Sequence, residues 1–144
     1  METRSDFSDM ATVSPTTRSF RIMVADDYDI IRQLCRAWLE QRGHTVVEAE
    51  NGEEAVEIAR RECPDLILMD MSMPLLNGFD ATKRIREIEE LCNVWIVGIS
   101  GIGKDHRAAA LDAGCDEFVT KPFDFPQLEK LLGQLLSRPP RTTA

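Results

Sequence analysis

The stretch DLILMDMSMP, Asp65 to Pro74, decides the fold. Four apolar residues, Leu66 to Met69, run straight into the carboxylate of Asp70. A short unbroken apolar run of this kind reads as a strand covered on both faces, as in a parallel sheet. A charge at the end of such a strand is costly to bury unless something pairs with it. The rest of the chain has to supply both the cover and the partners of Asp70.

The cover is written as an alternation of strands and helices. FRIMVA (20–25) is a first strand, and Asp26 and Asp27 follow it. Ile30, Ile31, Leu34, Ala37 and Trp38 recur at helical spacing to about Gln41, and Gly43 stops that helix. TVVEA (45–49) is a second strand. NGEEAVEIARR (51–61) opens on the turn and cap signal Asn51-Gly52, carries a stripe of Ala55, Ile58 and Ala59, and is broken by Pro64. After the third strand, DLILMD, a helix starts near Gly78 with Phe79, Thr82, Ile85 and Ile88 on one side. VWIVGIS (94–100) is a fourth strand, and an Ala-rich helix follows from Lys104 to Ala113, ended by Gly114. CDEFVT (115–120) is a fifth strand, and Asp124 caps a last helix whose stripe is Leu128, Leu131, Leu132 and Leu135. Five such units predict an α/β fold: a single parallel sheet with helices on both faces.

The chain has 144 residues, which suits one domain. Residues 1–18 are rich in Ser and Thr without apolar periodicity and are expected to form a disordered tail. The folded domain is expected over 19–137, with a flexible tail at 138–144 containing Pro139 and Pro140. A net charge of −8 argues against a nucleic-acid partner, which wants a basic face. No apolar run approaches the ~18 residues of a membrane span, and the first residues carry no signal-peptide core. A cytoplasmic protein without membrane contact is the expectation. Cys35, Cys63, Cys92 and Cys115 form no C-x-x-C and no zinc pattern, so they read as small buried hydrophobes in a reducing compartment. His44 and His106 are isolated and read as ordinary surface or edge residues.

In a parallel sheet all strand C-termini lie on one edge, where ligands sit. The first strand delivers Asp26 and Asp27 there, the third Asp70, the fourth Ser100, and the fifth Lys121 with Pro122 behind it. Singly, each has an ordinary use as a helix cap, a turn residue or a solvated charge. Jointly they bring three carboxylates, a hydroxyl and an ammonium to one edge. Carboxylates so close repel one another. A hard divalent cation such as Mg²⁺, which takes one or two carboxylates plus a phosphate, resolves the repulsion.

In VADD (24–27), LILMDMSMPLLNGFD (66–80), IVGIS (96–100) and DEFVTKPF (116–123), the chain resembles a response-regulator receiver domain of two-component signalling, of the chemotaxis-regulator kind. The matching pieces cover about 19–137. The resemblance implies a flavodoxin-like strand order 2-1-3-4-5, doubly wound with five helices. It implies that Asp70 accepts a phosphoryl group from a phosphohistidine on a sensor histidine kinase or a histidine phosphotransfer protein. Asp26, Asp27 and Asp70, with the backbone carbonyl of Ser72, would hold Mg²⁺, and Lys121 would pair with a phosphoryl oxygen. Lys121–Pro122 matches the family's cis peptide. Ser100 and Phe118 match the switch pair that remodels the helix 4–strand 5–helix 5 face for a downstream protein. A phosphoacceptor of this kind takes part in its own phosphotransfer without being an enzyme in the usual sense. Asn77 stands where Asp is usual, Gly98 and Gly101 where Ala is common, and an apolar Ile102 two residues after Ser100 predicts slow autodephosphorylation.

The favoured form is a stand-alone response regulator; a phosphorelay receiver or a fragment of a hybrid kinase is the alternative. A remote rival lies in GISGIGKD (98–105), which nearly spells a P-loop but has Asp105 where Ser or Thr would bind Mg²⁺. That reading also leaves Asp26, Asp27, Ser100 and Lys121 without roles.

Overall fold

In a computed structural model, the structure describes residues 19–91, 93–101, 106–121 and 124–138. The expected tail at 1–18, Cys92, the P-loop-like Lys104, Ile102, the Lys121–Pro122 peptide and nearly all of the C-terminal tail lie outside them. Strands β1 (Arg21–Ala25), β2 (Thr45–Ala49), β3 (Leu66–Asp70), β4 (Trp95–Ser100) and β5 (Glu117–Thr120) alternate with helices α1 (Asp29–Gln41), α2 (Gly52–Glu62), α3 (Gly78–Arg86), α4 (Arg107–Ala113) and α5 (Phe125–Leu136). All neighbouring strands pair in parallel, in the order β2-β1-β3-β4-β5. The doubly wound fold implied by the resemblance is the fold of the chain.

Side chains of a strand alternate between its faces, and the two cores follow that alternation. Ile67 and Met69 of β3 join a core with Ala55, Ala59, Ala81 and Ile85 of α2 and α3. Leu66 and Leu68 join a second core with Cys35 and Leu39 of α1 and Leu128, Leu132 and Leu135 of α5. Every residue of β3 is buried, Asp70 included.

Caps set the helix starts. The Asn51 side chain accepts from the Glu54 N–H, Asn77 from Asp80 and Asp124 from Gln127. Gly114, at φ +122°, ends α4 as expected.

The phase of α1 differs from the sequence expectation. Its buried residues are Arg32, Cys35 and Leu39, with Ile31 and Trp38 packed beside them, whereas Ile30 and Leu34 are exposed. Two adjacent apolar stripes are written on this helix, and periodicity alone does not say which one meets the sheet. The cysteine expectation holds for Cys35 and Cys115, buried thiols that desolvation pushes up to about 11. It fails for Cys63, which is exposed in a left-handed conformation at the end of α2.

Candidate functional site

The C-terminal edge of the sheet brings Asp26, Asp27 and Asp70 together, with carboxylate oxygens within 4.8 Å of one another. Asp26 and Asp70 are buried and Asp27 is exposed. Asp26 follows directly on β1, and its N–H extends the strand ladder to the Ala49 carbonyl. Both buried carboxylates are held in the same way. One oxygen accepts from a backbone N–H two residues on, Tyr28 for Asp26 at 2.9 Å and Ser72 for Asp70 at 3.0 Å. The other oxygen meets the Lys121 ammonium, at 3.1 Å from Asp26 and 3.4 Å from Asp70. Lys121 is aimed inward because its own N–H donates to the Ser100 carbonyl at 2.7 Å, just past the last ladder position of β5.

The Asp70 carboxyl lies above its ordinary range. Burial pushes it up, the Ser72 N–H draws it back, the charge of Asp26 raises it, and Lys121 lowers it. Burial alone would lower Lys121; the hydrogen bond to Asp26 and the charges of Asp70 and Asp26 outweigh that and hold the ammonium above its usual value. One ammonium against three carboxylates leaves an excess of negative charge in a partly desolvated cleft. That all-oxygen donor set, with Asp27 exposed, suits a hard divalent cation, which takes oxygen ligands and keeps several of its waters.

The loop after β3 is held tightly against the site. A Cβ on Gly78 would overlap the carbonyl oxygen of Asp70, and one on Gly52 would overlap that of Leu76. Glycine at 78 therefore lets the start of α3 press directly on the strand end that carries Asp70.

Ser100 and Phe118 occupy the other side of the sheet. Phe118 is register partner to Gly98, and its ring packs over the space a Gly98 side chain would fill. The Ser100 hydroxyl is buried and lies 3.0 Å from His106 Nδ1. His106 was expected to be an ordinary surface or edge residue; it is a partner of the site. Sequence reasoning also missed Arg32, a buried arginine whose Nη1 donates to the Asp26 carbonyl at 2.7 Å. Its i, i+3, i+7 spacing with Cys35 and Leu39 on one face of α1 was the available signal. Nothing in the spacing signalled the His106 contact.

The P-loop rival meets an obstacle here. Gly98, Ile99 and Ser100 are strand residues paired to β5, not the opening of a phosphate-cradling loop. A cleft lined by Phe20, Asp65, Val94, Trp95 and Arg138 opens at the opposite edge of the sheet and shares no residue with the acidic cluster.

Residues 22–133 match the response regulator receiver domain family. The chain is 35% identical over 118 residues to the chemotaxis protein CheY of Halobacterium salinarum, covering 81% of this chain and 97% of that one. Its fold matches the receiver domain of the sensor histidine kinase PA1611 from Pseudomonas aeruginosa, solved with magnesium in the active-site cleft (TM-score 0.78, 29% identity, 84% of this chain and 100% of that one). It also matches the Saccharomyces cerevisiae Ssk1 receiver domain, solved in complex with the histidine phosphotransfer protein Ypd1 (TM-score 0.74, 27% identity, 81% of this chain and 88% of that one). A five-stranded parallel sheet in this order, with an acidic cluster and an inward lysine at its C-terminal edge, is the architecture of a signalling receiver. The chain belongs to the response regulator receiver domain family of two-component signalling.

Proposed function

We propose that this protein is a phosphoacceptor whose Asp70 takes a phosphoryl group from a phosphohistidine of a sensor kinase or a histidine phosphotransfer protein. The observation that carries the reading is the bridging of Lys121 between Asp26 and Asp70 beside the exposed Asp27. A carboxylate oxygen of Asp70 attacks phosphorus, the P–N bond breaks, and its electron pair stays on the imidazole nitrogen. Asp26, Asp27 and Asp70, with the Ser72 carbonyl, are the residues that would hold Mg²⁺. Bound there, Mg²⁺ supplies neutralisation of the negative charge spread over the transferring phosphoryl oxygens. Lys121 adds a second positive charge as a point donor, and its pairing with Asp70 passes to the phosphoryl oxygen.

Ser100 then bonds the phosphoryl group, and Phe118 turns toward the space it leaves. The local charge event thereby becomes a changed surface on α4, β5 and α5, where Leu111 is an exposed apolar residue. The partner that delivers the phosphoryl group docks at the mouth of the site. Tyr28, Ile30 and Leu34 of the α1 region and Leu75 of the β3–α3 loop are large, exposed and apolar there. The likeness to the chemotaxis protein CheY over 97% of that protein favours a response regulator of the stand-alone kind, one that participates in its own phosphorylation and dephosphorylation. A receiver of a relay or hybrid kinase is the second reading, favoured by the likeness to the PA1611 receiver.

The test is incubation with a small phosphodonor and Mg²⁺, followed by intact-mass measurement. A phosphoryl adduct that Asp70→Asn abolishes is expected. No adduct, or one indifferent to that substitution, overturns the reading.

A further inference from the structure

Alternation along the strands separates the switch serine from the carboxylates. On β4, Val97 and Ile99 join the α1/α5 core, while Gly98 faces Cys115, Phe118 and Ala110 on the other side. Ser100 shares the side of Gly98. On β3, Leu66 and Leu68 belong to the α1/α5 core, so Asp70 follows them; Asp26 follows Val24 and Lys121 follows Val119 in the same way. Among the described residues the Ser100 hydroxyl accordingly meets neither Asp70 nor Lys121. It meets His106 Nδ1 at 3.0 Å. His106 sits just ahead of α4, and the Phe79 ring of α3 holds it edge-on, with centroids 5.2 Å apart.

We propose that His106 is a resting-state latch on Ser100, a positioning residue that keeps the switch hydroxyl on the α3/α4 side and competes for it with the phosphoryl group on Asp70. The inference rests on the phosphoacceptor reading of Asp70. A serine hydroxyl has one proton to donate. With the imidazole proton on Nε2, Nδ1 accepts the serine proton, which is then withheld from Asp70. A phosphoryl oxygen is charged and is the stronger acceptor. Phosphorylation therefore draws Ser100 across the strand end and breaks the bond to His106. The residue that leads into α4 is released in the same step, and this ties the movement of Ser100 to the start of that helix.

The test titrates the full chain with beryllium fluoride in the presence of Mg²⁺, read by isothermal titration calorimetry. His106→Ala is expected to bind beryllium fluoride about 3–10-fold more tightly, the scale of one hydrogen bond, with unchanged affinity for Mg²⁺ alone. His106→Asn, which restores an acceptor oxygen near the Nδ1 position, is expected to return to wild-type affinity. His106→Phe keeps a ring against Phe79 without an acceptor, and is expected to match the Ala variant even if that variant folds poorly. Equal or weaker binding by the Ala and Phe variants, with wild type binding normally, overturns the latch alone. Wild-type protein that fails to bind beryllium fluoride, or binds it regardless of Asp70→Asn, overturns the phosphoacceptor reading and the latch with it.

Discussion

Arg32 reaches from the first turns of α1 to the main chain of Asp26, and its Nη1 donates to the Asp26 carbonyl at 2.7 Å inside the protein. The same guanidinium bonds Glu48 of β2 at 3.0 Å and pairs with Asp29. Glu48 is shared with Arg36 at 2.6 Å, so the fork is anchored on two elements. The residue that supplies one carboxylate of the acidic cluster is thus fixed from behind, by a side chain that bonds its main-chain carbonyl and not its carboxylate.

Arg32→Ala is expected to weaken Mg²⁺ binding about 10-fold, the low end of the cost of losing a residue that supports a metal ligand. Arg32→Lys keeps the charge but loses the fork, and is expected to weaken binding as well. A magnesium titration on folded variants checks this. Unchanged affinity in both would mean that Arg32 serves stability only.

Asp70 is expected to destabilise the unliganded protein at neutral pH. Its folded-state carboxyl is raised above the ordinary value, by burial first and by Asp26 next. The native state then binds the proton more tightly than the unfolded chain, so stability falls as pH rises from the ordinary carboxylate value through the raised one. Asp70→Asn should raise Tm at pH 7 by roughly 2–6 °C, and the gain should shrink on acidification through that window. Mg²⁺ should raise the wild-type Tm more than that of the variant. Calorimetry across pH with and without Mg²⁺ measures both.

Ile30 and Leu34 are 68% and 52% exposed on the outer face of α1. Truncating both to Ala should change stability by less than ~1 kcal/mol, as for other exposed positions. Phosphorylation from a small donor should be unaffected. Transfer from a phosphohistidine protein should slow about 10-fold or more, since apolar anchors dominate such contacts. Parallel rates with the two kinds of donor separate docking from chemistry.

Gly78→Ala places a methyl group on the backbone oxygen of Asp70, which no side-chain rotation relieves. A loss of about 2–3 kcal/mol is expected for such overpacking, with a slower approach of Asp70 to phosphorus because the strand end must shift. Denaturant unfolding checks the first effect and the rate of adduct formation the second.

The alternation of apolar strands with striped helices, and the Asp, Ser and Lys residues at four strand ends, was legible without coordinates. Strand composition and cap chemistry are local properties, and a parallel sheet puts every strand end on one edge by topology. Asn51, Asn77 and Asp124 cap their helices because their side chains bond the N–H three residues ahead, a purely sequential relationship. The rotation of α1 was not legible. Apolar residues recur on two adjacent stripes, and packing with β1, β3 and α5 took Cys35 and Leu39 inward, which buries Arg32 and exposes Ile30. Nor was the partner of Ser100 legible. His106 meets it because α3 and α4 close over one side of β4, and Phe79 holds the ring there. The sequence alone determined which residues meet at the edge of the sheet, since chain connectivity and strand direction decide that. Only the tertiary structure decided which side of the edge each one faces and what it bonds while waiting, since those depend on helix phase and on packing between elements distant in the chain.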